Sequence, residues 1–115
     1  MKKNLFDFIF NDEKKESYFK KIAVHFNNKK YSYSYIHNRS LNISENILKL
    51  NFDISKNNPL IIIGDNSLDM ICLILALCKI NYSFIILSQD LPYKKLQIYM
   101  SLYKPSLIIF LYQAP

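Results

Sequence analysis

The sequence Pro59-Leu60-Ile61-Ile62-Ile63-Gly64 is a continuous apolar run bounded by a proline and by the only glycine of the chain. A run without polar alternation is typical of a strand that is covered on both faces. The sequence therefore predicts a buried strand over residues 60–63. The segments around this strand decide how it is used.

Helices and strands are predicted to alternate after residue 64. The expected elements are a helix over 68–79, a strand over 82–87, a helix over 93–103 and a strand over 107–111. Asn66 and Ser67 are suitable capping residues for the first of these helices, which is apolar nearly all round and is expected to be deeply buried. Alternation of this kind predicts buried parallel strands joined by right-handed crossovers, which is an α/β layered fold.

A β-hairpin is predicted before this alternation. Residues 22–26 form one strand, residues 31–34 alternate with period two, and the Asn-rich segment 27–30 lies between them as a turn. From Ser34 the apolar period becomes helical, which predicts an amphipathic helix of about four turns capped by Ser32 or Ser34. A polar loop is expected over 53–59.

We treat residues 1–115 as a single partial domain, with residues 1–21 as an amphipathic and charged lead-in. Within the lead-in, the segment 5–10 predicts a short helix that packs on the main body, and 12–21 is charged. The apolar stretch is short and broken by Asp7, so it is a poor signal peptide. The longest apolar run, 70–78, is about half of what a membrane span needs. No membrane segment is expected.

The net charge of +6 is weak evidence for nucleic-acid binding. Fourteen of the 15 basic residues are Lys, and only Arg39 offers the planar fork that suits phosphate and base edges. The Lys pairs are also scattered along the chain. Cys72 and Cys78 have no ligand spacing and are expected to be free thiols, which suits a reducing cytoplasm.

Candidate chemical groups are few, and each has a structural explanation. One glycine excludes a Gly-rich phosphate loop within this sequence. His25 and His37 have no carboxylate or nucleophile at a recognisable spacing. Asp65 and Asp69 follow a strand, where α/β active sites often gather, but helix capping explains both.

Two further groups have structural explanations of the same kind. Ser67 lacks a G-x-S-x-G frame, so we interpret it as a cap. The Tyr-rich stretch 31–35 is explained by alternation in a hairpin as well as by base stacking. The sequence therefore indicates no catalytic, cofactor-binding or metal-binding residue.

Several segments resemble the adenylate-forming (AMP-binding) enzymes. Residues 31–36 resemble the first core motif of adenylation domains, Leu-Thr/Ser-Tyr-x-Glu-Leu, with Tyr35 in place of Glu. Residues 66–71 resemble Arg-Ser-Leu-Glu-Met-Val, and residues 77–88 resemble the second core motif, Leu-Lys-Ala-Gly-x-Ala-Tyr-Val-Pro-Leu-Asp. Residues 91–96 are similar to Tyr-Pro-x-x-Arg-Leu. The resemblance covers about residues 4–111 in unbroken order.

The second motif also shows departures. Asn81 replaces its Gly, Ile86 its Pro and Ser88 its Asp. Gly and Pro shape a turn and a strand end, so the backbone at these positions is expected to differ from that of the family. The motifs are closer to peptide-synthetase adenylation domains and D-alanine–carrier protein ligases than to free acyl-CoA ligases.

The resemblance implies a parent enzyme that activates an amino or other carboxylic acid with ATP and Mg²⁺. The family's phosphate loop, metal-binding segments and catalytic lysine lie later in its chain, so this sequence alone is expected to be inactive. Parallel strands would then leave an edge and a helix-free face for the remainder to cover.

Three explanations of the chain stay open: a gene remnant, one part of a split enzyme whose partner is the remainder or a carrier protein, and an independent protein- or nucleic-acid-binding module.

Overall fold

The computed structural model describes residues 4–10, 15–54 and 58–111. Its helices are α1 (Leu5–Ile9), α2 (Lys15–Tyr18), α3 (Tyr33–Leu50), α4 (Leu68–Lys79) and α5 (Tyr93–Tyr103). Its strands are β1 (Ile22–Phe26), β2 (Lys29–Ser32), β3 (Leu60–Gly64), β4 (Phe84–Leu87) and β5 (Ile108–Leu111). Parts of two predictions, the lead-in at 1–3 and 11–14 and the loop at 55–57, lie outside the described residues.

The predicted hairpin is present, with a tighter turn than expected. β1 and β2 pair antiparallel with Phe26 opposite Lys29, so only Asn27 and Asn28 form the turn. Both have left-handed backbone angles, with φ of 51° and 64°. Two consecutive positive φ angles match the twist of a two-residue hairpin turn, and Asn tolerates this conformation better than most residues. Lys29 and Lys30 therefore belong to the strand.

α3 follows the hairpin directly and is one turn longer than predicted. The Ser32 hydroxyl accepts a hydrogen bond from the Tyr35 N–H at 3.2 Å, so Ser32 is the cap. The helix then runs for 18 residues, about five turns. Asn51 ends it with φ of 55°. Ser40 and Ser44 are buried, and their hydroxyls donate to the carbonyls of Ile36 and Leu41.

The three later strands form one parallel sheet in the order β4-β3-β5. β3 is buried along its whole length, as predicted. Leu60 and Ile62 pack with Ile47 of α3 and with the buried side of α4. Ile61 and Ile63 belong to a separate cluster with residues from α5. Both faces of the central strand are therefore covered by helices.

The flanking strands differ from the expectation of full burial. Ile86 of β4 is 44% exposed and Phe110 of β5 is 66% exposed. Each of these strands has a single neighbour in the described sheet, so its outer side lacks the cover that β3 receives. Among the described strands, the expected open edge is present at both β4 and β5. The expectation of a helix-free face is wrong, because α5 covers one face of β3 and α3 and α4 cover the other.

The turn before β4 keeps the backbone that a glycine would provide. Asn81, which stands where the family's motif has Gly, has φ of 58°. This left-handed conformation costs Asn little compared with other non-glycine residues. The departure from the motif at this position therefore leaves a turn with positive φ in place.

Candidate functional site

The carboxyl ends of β3 and β4 are the first place to look for chemistry, because ligands of open α/β sheets bind there. β3 is followed by Asp65 and Asn66, which are exposed, and by Ser67 at the start of α4. β4 is followed by a turn in which the Ser88 hydroxyl accepts from the Asp90 N–H at 3.2 Å. The hydroxyls of Ser67 and Ser88, which follow these two strands, both accept hydrogen bonds from backbone N–H groups of the short connections.

Ser67 and Asp69 serve α4, as the sequence predicted. The Ser67 hydroxyl is buried and accepts a hydrogen bond from the Met70 N–H at 3.0 Å. Asp69 lies in the first turn, where a negative charge favours the helix dipole. The cap itself is Ser67 and Asp65 precedes the helix, so of the two Asp residues only Asp69 is placed to favour the helix dipole, and neither is the cap.

Asp69 also contacts α3. Its carboxylate is 3.6 Å from the Arg39 guanidinium, and both side chains are about half exposed. An exposed pair of this kind contributes little to stability, roughly 0–1 kcal/mol. The pair nevertheless marks where α3 and α4 meet at the rim of an open groove.

This groove, which we call the β5 groove, has a volume of about 400 Å³. Its apolar walls come from α3, α4 and β5: Ile43, Ile47, Leu50, Leu73, Ile109 and Leu111. Arg39, Asn46 and Asp69 complete the lining. The groove offers a surface for apolar side chains. Its polar lining consists of the Arg39–Asp69 ion pair and the Asn46 amide. Its shape suits packing better than bond-making chemistry.

A second depression lies between the hairpin and α4, with a volume of about 370 Å³. His25 and Ser67 are among its lining residues, but the Ser67 hydroxyl is already engaged as a helix cap. His25 is exposed on β1. The structure therefore gives these two residues no shared catalytic geometry.

His37 has a packing role that the sequence pattern did not specify. Its ring lies 5.5 Å from the Phe6 ring, 4.9 Å from the Phe10 ring and 5.2 Å from the Phe19 ring. Distances of 4.5–7 Å are typical of favourable ring contacts. The imidazole therefore joins α1 and the segment before β1 to α3, which agrees with the predicted structural role.

The two thiols are poor nucleophiles. Burial raises the pKa of Cys72 from 9.0 to about 11, and burial also raises the pKa of Cys78. The thiolate is the reactive form, and it is scarce at neutral pH when the pKa is this high. Both thiols are free, as expected.

Neither a group of metal ligands nor a glycine free to line a phosphate loop is found among the described residues. Within residues 4–10, 15–54 and 58–111, no three His, Cys, Asp or Glu side chains are grouped to hold a metal ion. Gly64 is used for close packing, because a Cβ there would lie 2.9 Å from the Cβ of Leu111.

No helix in the described part of the chain is both long and apolar enough to span a bilayer.

Comparison of the sequence with family models and with characterised proteins gives no match. Comparison of the structure with solved structures gives strong matches. IdnL1 superposes with a TM-score of 0.81 at 19% identity, over 99% of this chain and 23% of IdnL1. The N-terminal subdomain of Klebsiella oxytoca NpsA, solved in complex with 3-hydroxybenzoyl-AMSN, gives a TM-score of 0.76 at 21% identity, over 99% of this chain and 28% of that one.

A third match is NpsA-ThdA, an artificially fused adenylation-PCP di-domain from the same organism. Its TM-score is 0.74 at 19% identity, over 96% of this chain and 20% of the fusion. This chain thus spans less than a third of the length of each of these three proteins. The chain therefore has the fold of one part of an adenylating enzyme, made of a hairpin followed by a three-stranded parallel sheet with its helices. In NpsA the matching part lies in the N-terminal subdomain.

Proposed function

We propose that this chain is a scaffold section of an AMP-dependent synthetase or ligase, whose complete activity is the ATP-dependent adenylation of an amino or other carboxylic acid. One observation carries the proposal: nearly the whole chain superposes on adenylating enzymes, while it accounts for less than a third of each. The ordered sequence motifs at residues 31–36, 66–71 and 77–88 support the same assignment.

The contribution of this section is mechanical. The reaction attacks the α-phosphate of ATP with a carboxylate and needs cationic stabilisation of the triphosphate, which the groups described above do not supply. What the chain supplies is a rigid layer: β3 is enclosed between α5 and the α3–α4 pair, and the turns at the carboxyl ends of β3 and β4 are held by local hydrogen bonds. ATP, Mg²⁺ and the acid are therefore proposed to bind to the rest of the enzyme.

The proposed setting is a cytoplasmic enzyme that loads a carrier protein. The fused NpsA-ThdA structure, in which an adenylation domain is joined to a PCP, supports a carrier protein as the type of partner. The two free cysteines are compatible with a reducing compartment. An open reading frame for the phosphate loop beside the gene would favour a split enzyme, and its absence a remnant.

The decisive experiment replaces the matched stretch of the NpsA N-terminal subdomain with this chain. The hybrid is expected to fold and to bind 3-hydroxybenzoyl-AMSN, while this chain alone binds none, because the section only has to support a ligand site made elsewhere. A folded hybrid that fails to bind the ligand would count against the proposal.

A second measurement uses the chain as it is. Pyrophosphate exchange with ATP, Mg²⁺ and a panel of amino and aryl acids is expected to give no signal above buffer. Clear exchange would mean that residues within this chain bind and activate ATP, contrary to the proposal.

A further inference from the structure

α5 has an outer face on which apolar side chains are exposed. Its inner face, with Leu96, Tyr99 and Met100, packs against the cluster of residues around β3. On the outer face, Ile98 is 63% exposed and Leu102 is 66% exposed. These two residues are one helical turn apart, so they form an apolar stripe along the helix. Single exposed apolar residues are common on protein surfaces, but an aligned pair on one helix is a candidate contact surface.

An open depression lies along this stripe. It has a volume of about 460 Å³ and is lined by Lys94, Gln97, Ile98, Ser101 and Leu102. The first four of these residues are spaced i, i+3, i+4 and i+7 along the helix. Four side chains in this arrangement form the hole that receives one side chain of a facing helix, and the small side chain of Ser101 leaves room for it. The depression therefore has the form that accepts an α-helix laid along α5.

The surface around the stripe is positively charged. Lys94 and Lys95 lie in the first turn of α5, and Lys104 follows its last turn. α5 contains no acidic residue, and none follows Asp90 in the sequence. Within the described part of the chain, none of the three ammonium groups forms an ion pair with a carboxylate. Charge complementarity therefore favours an acidic partner for this face.

The start of α5 is arranged against the stability of the helix itself. Its N-cap is Pro92, which accepts no side-chain hydrogen bond, whereas α3 and α4 begin with the Ser32 and Ser67 caps. The N-terminus of a helix carries a partial positive charge, so Lys94 and Lys95 lie where a cation is unfavourable. Carboxylates of a partner above this turn interact favourably with both ammonium groups and with the helix dipole.

We propose that the outer face of α5 binds an acidic amphipathic α-helix of a partner protein. Apolar side chains of this helix pack into the depression beside Ile98 and Leu102, and its carboxylates lie over Lys94 and Lys95. This is recognition of a helix by an apolar surface through side chains at helical spacing, with specificity from the charges around it. The inference goes beyond the proposed function and does not depend on it, because it uses only the surface of α5.

Two other occupants fit this face less well. A second copy of this chain, related by a two-fold axis that centres the two stripes on each other, would bring Lys104 of each copy near Lys95 of the other. α5 has no carboxylate to pair with these groups, so the contact would be repulsive. An anionic lipid surface would satisfy the charge, but it has no side chains that match the spacing of the depression.

The first test uses this chain and a labelled amphipathic peptide of about 15 residues, long enough for a helix, with Leu at helical spacing and Glu and Ala elsewhere. Fluorescence anisotropy measures the binding. Leu102→Ala should weaken it about tenfold, because one buried apolar contact is lost. Leu48→Ala is the matched control on α3 and should leave the binding unchanged. Leu48 is 49% exposed and Leu102 is 66% exposed, so both variants should fold.

Charge reversal tests the second half of the proposal. The pair of substitutions Lys94→Glu and Lys95→Glu should weaken binding of the Glu peptide at least about tenfold and should permit binding of a peptide with Lys in place of Glu. Acidic residues in the first turn favour the helix, so a loss of binding cannot come from unfolding of α5. Lys29→Glu with Lys30→Glu makes the same change in net charge on the hairpin and should have little effect. An equal loss in this control would show that net charge alone attracts the peptide, which would overturn the proposal.

The remaining outcomes also decide between the occupants. No binding of the Glu peptide up to about 1 mM, or equal binding of a scrambled peptide of the same composition, would overturn the proposal. Binding to phosphatidylserine vesicles that Leu102→Ala abolishes, without binding of the peptide, would assign the face to a lipid surface. Loss of self-association in sedimentation velocity on Leu102→Ala, again without peptide binding, would assign it to a second copy. Each of these results would leave the proposed function standing.

Discussion

Five residues in the described part of the chain have positive φ angles, and none is glycine: Asn27, Asn28, Asn51, Asn81 and Lys104. Four are Asn, whose short polar side chain tolerates the left-handed conformation. The fifth, Lys104, ends α5 with φ of 44° and donates its N–H to the Met100 carbonyl. Lys lacks the short polar side chain of Asn, so we expect Lys104 to have the largest steric cost of the five positions.

Replacing Lys104 by Gly should therefore stabilise the protein. We expect the free energy of unfolding in urea to rise by about 0.5–1 kcal/mol, because Gly adopts positive φ without the steric cost, partly offset by its greater freedom in the unfolded chain. Lys95→Gly is the matched control. It lies exposed within α5, where Gly should lower the free energy of unfolding by about 1 kcal/mol. The same sign for both substitutions would contradict this explanation.

Titration of Cys72 should lower the free energy of unfolding as the pH rises in the alkaline range. The pKa of Cys72 rises from 9.0 in the unfolded chain to about 11 in the folded one because the thiol is buried. Between these values the unfolded state has lost the proton and the folded state retains it, so stability falls as pH rises. We expect a loss of about 2 kcal/mol across this window.

The control for the pH effect is Cys72→Ala. It lacks the titrating group, so its stability should fall less steeply between pH 9 and 11, even though the smaller side chain lowers stability at neutral pH. Urea unfolding at several pH values measures both slopes. Parallel slopes for the two proteins would show that other groups cause the loss.

At the scale of elements, most of the fold could be predicted because each element carries its own signal. The run Leu60–Ile63 indicated the central strand, and both the start and the end of α4 agree with the prediction. The lengths of the hairpin turn and of α3 were harder to predict from the sequence. They depended on which Asn residues take positive φ and which Ser provides the cap, choices that tertiary packing makes.

The candidate site was less predictable than the fold. Ser40 and Ser44 are polar and were not expected in the core, yet their small size allows α3 to approach α4 while their hydroxyls are satisfied within the helix. The β5 groove arises where three elements that are distant in sequence meet. No local pattern indicates such a surface, although the helical apolar period predicted after Ser34 agrees with Ile43, Ile47 and Leu50 lining the groove together.

The docking of α1 depends on one aromatic side chain. Phe6 is 4% exposed and packs against Phe10, His37 and the α4 side of the core. Phe6→Ala should lower the free energy of unfolding by about 3 kcal/mol, as is typical of a buried aromatic residue.

Phe8→Ala, on the same helix, is the matched control for Phe6→Ala. Phe8 is 78% exposed, so its loss should change stability by less than about 0.5 kcal/mol. Urea unfolding of both variants measures the difference. Similar losses for the two would mean that α1 is held by helix formation rather than by the Phe6 contact.

At the scale of the whole molecule, the chain is open for its size. Its accessible surface is 8265 Å², against about 6,600 Å² for a typical compact monomer of this mass. The Cα radius of gyration is 15.4 Å, against about 13 Å expected for a compact domain of this length. Exposed apolar side chains on α5, Ile98 and Leu102, add a further uncovered surface at helical spacing. These features agree with the proposed role as a section of a larger enzyme.

The full chain alone should therefore be marginally stable. We expect a free energy of unfolding below about 5 kcal/mol in urea, because a thin layer leaves much of its apolar surface in water. We also expect sedimentation velocity to show association that grows with protein concentration, since open strand edges invite pairing. A monomer at all concentrations that unfolds cooperatively with a free energy well above that value would instead support an independent binding module, because a section of a larger enzyme has no reason to be complete without the rest.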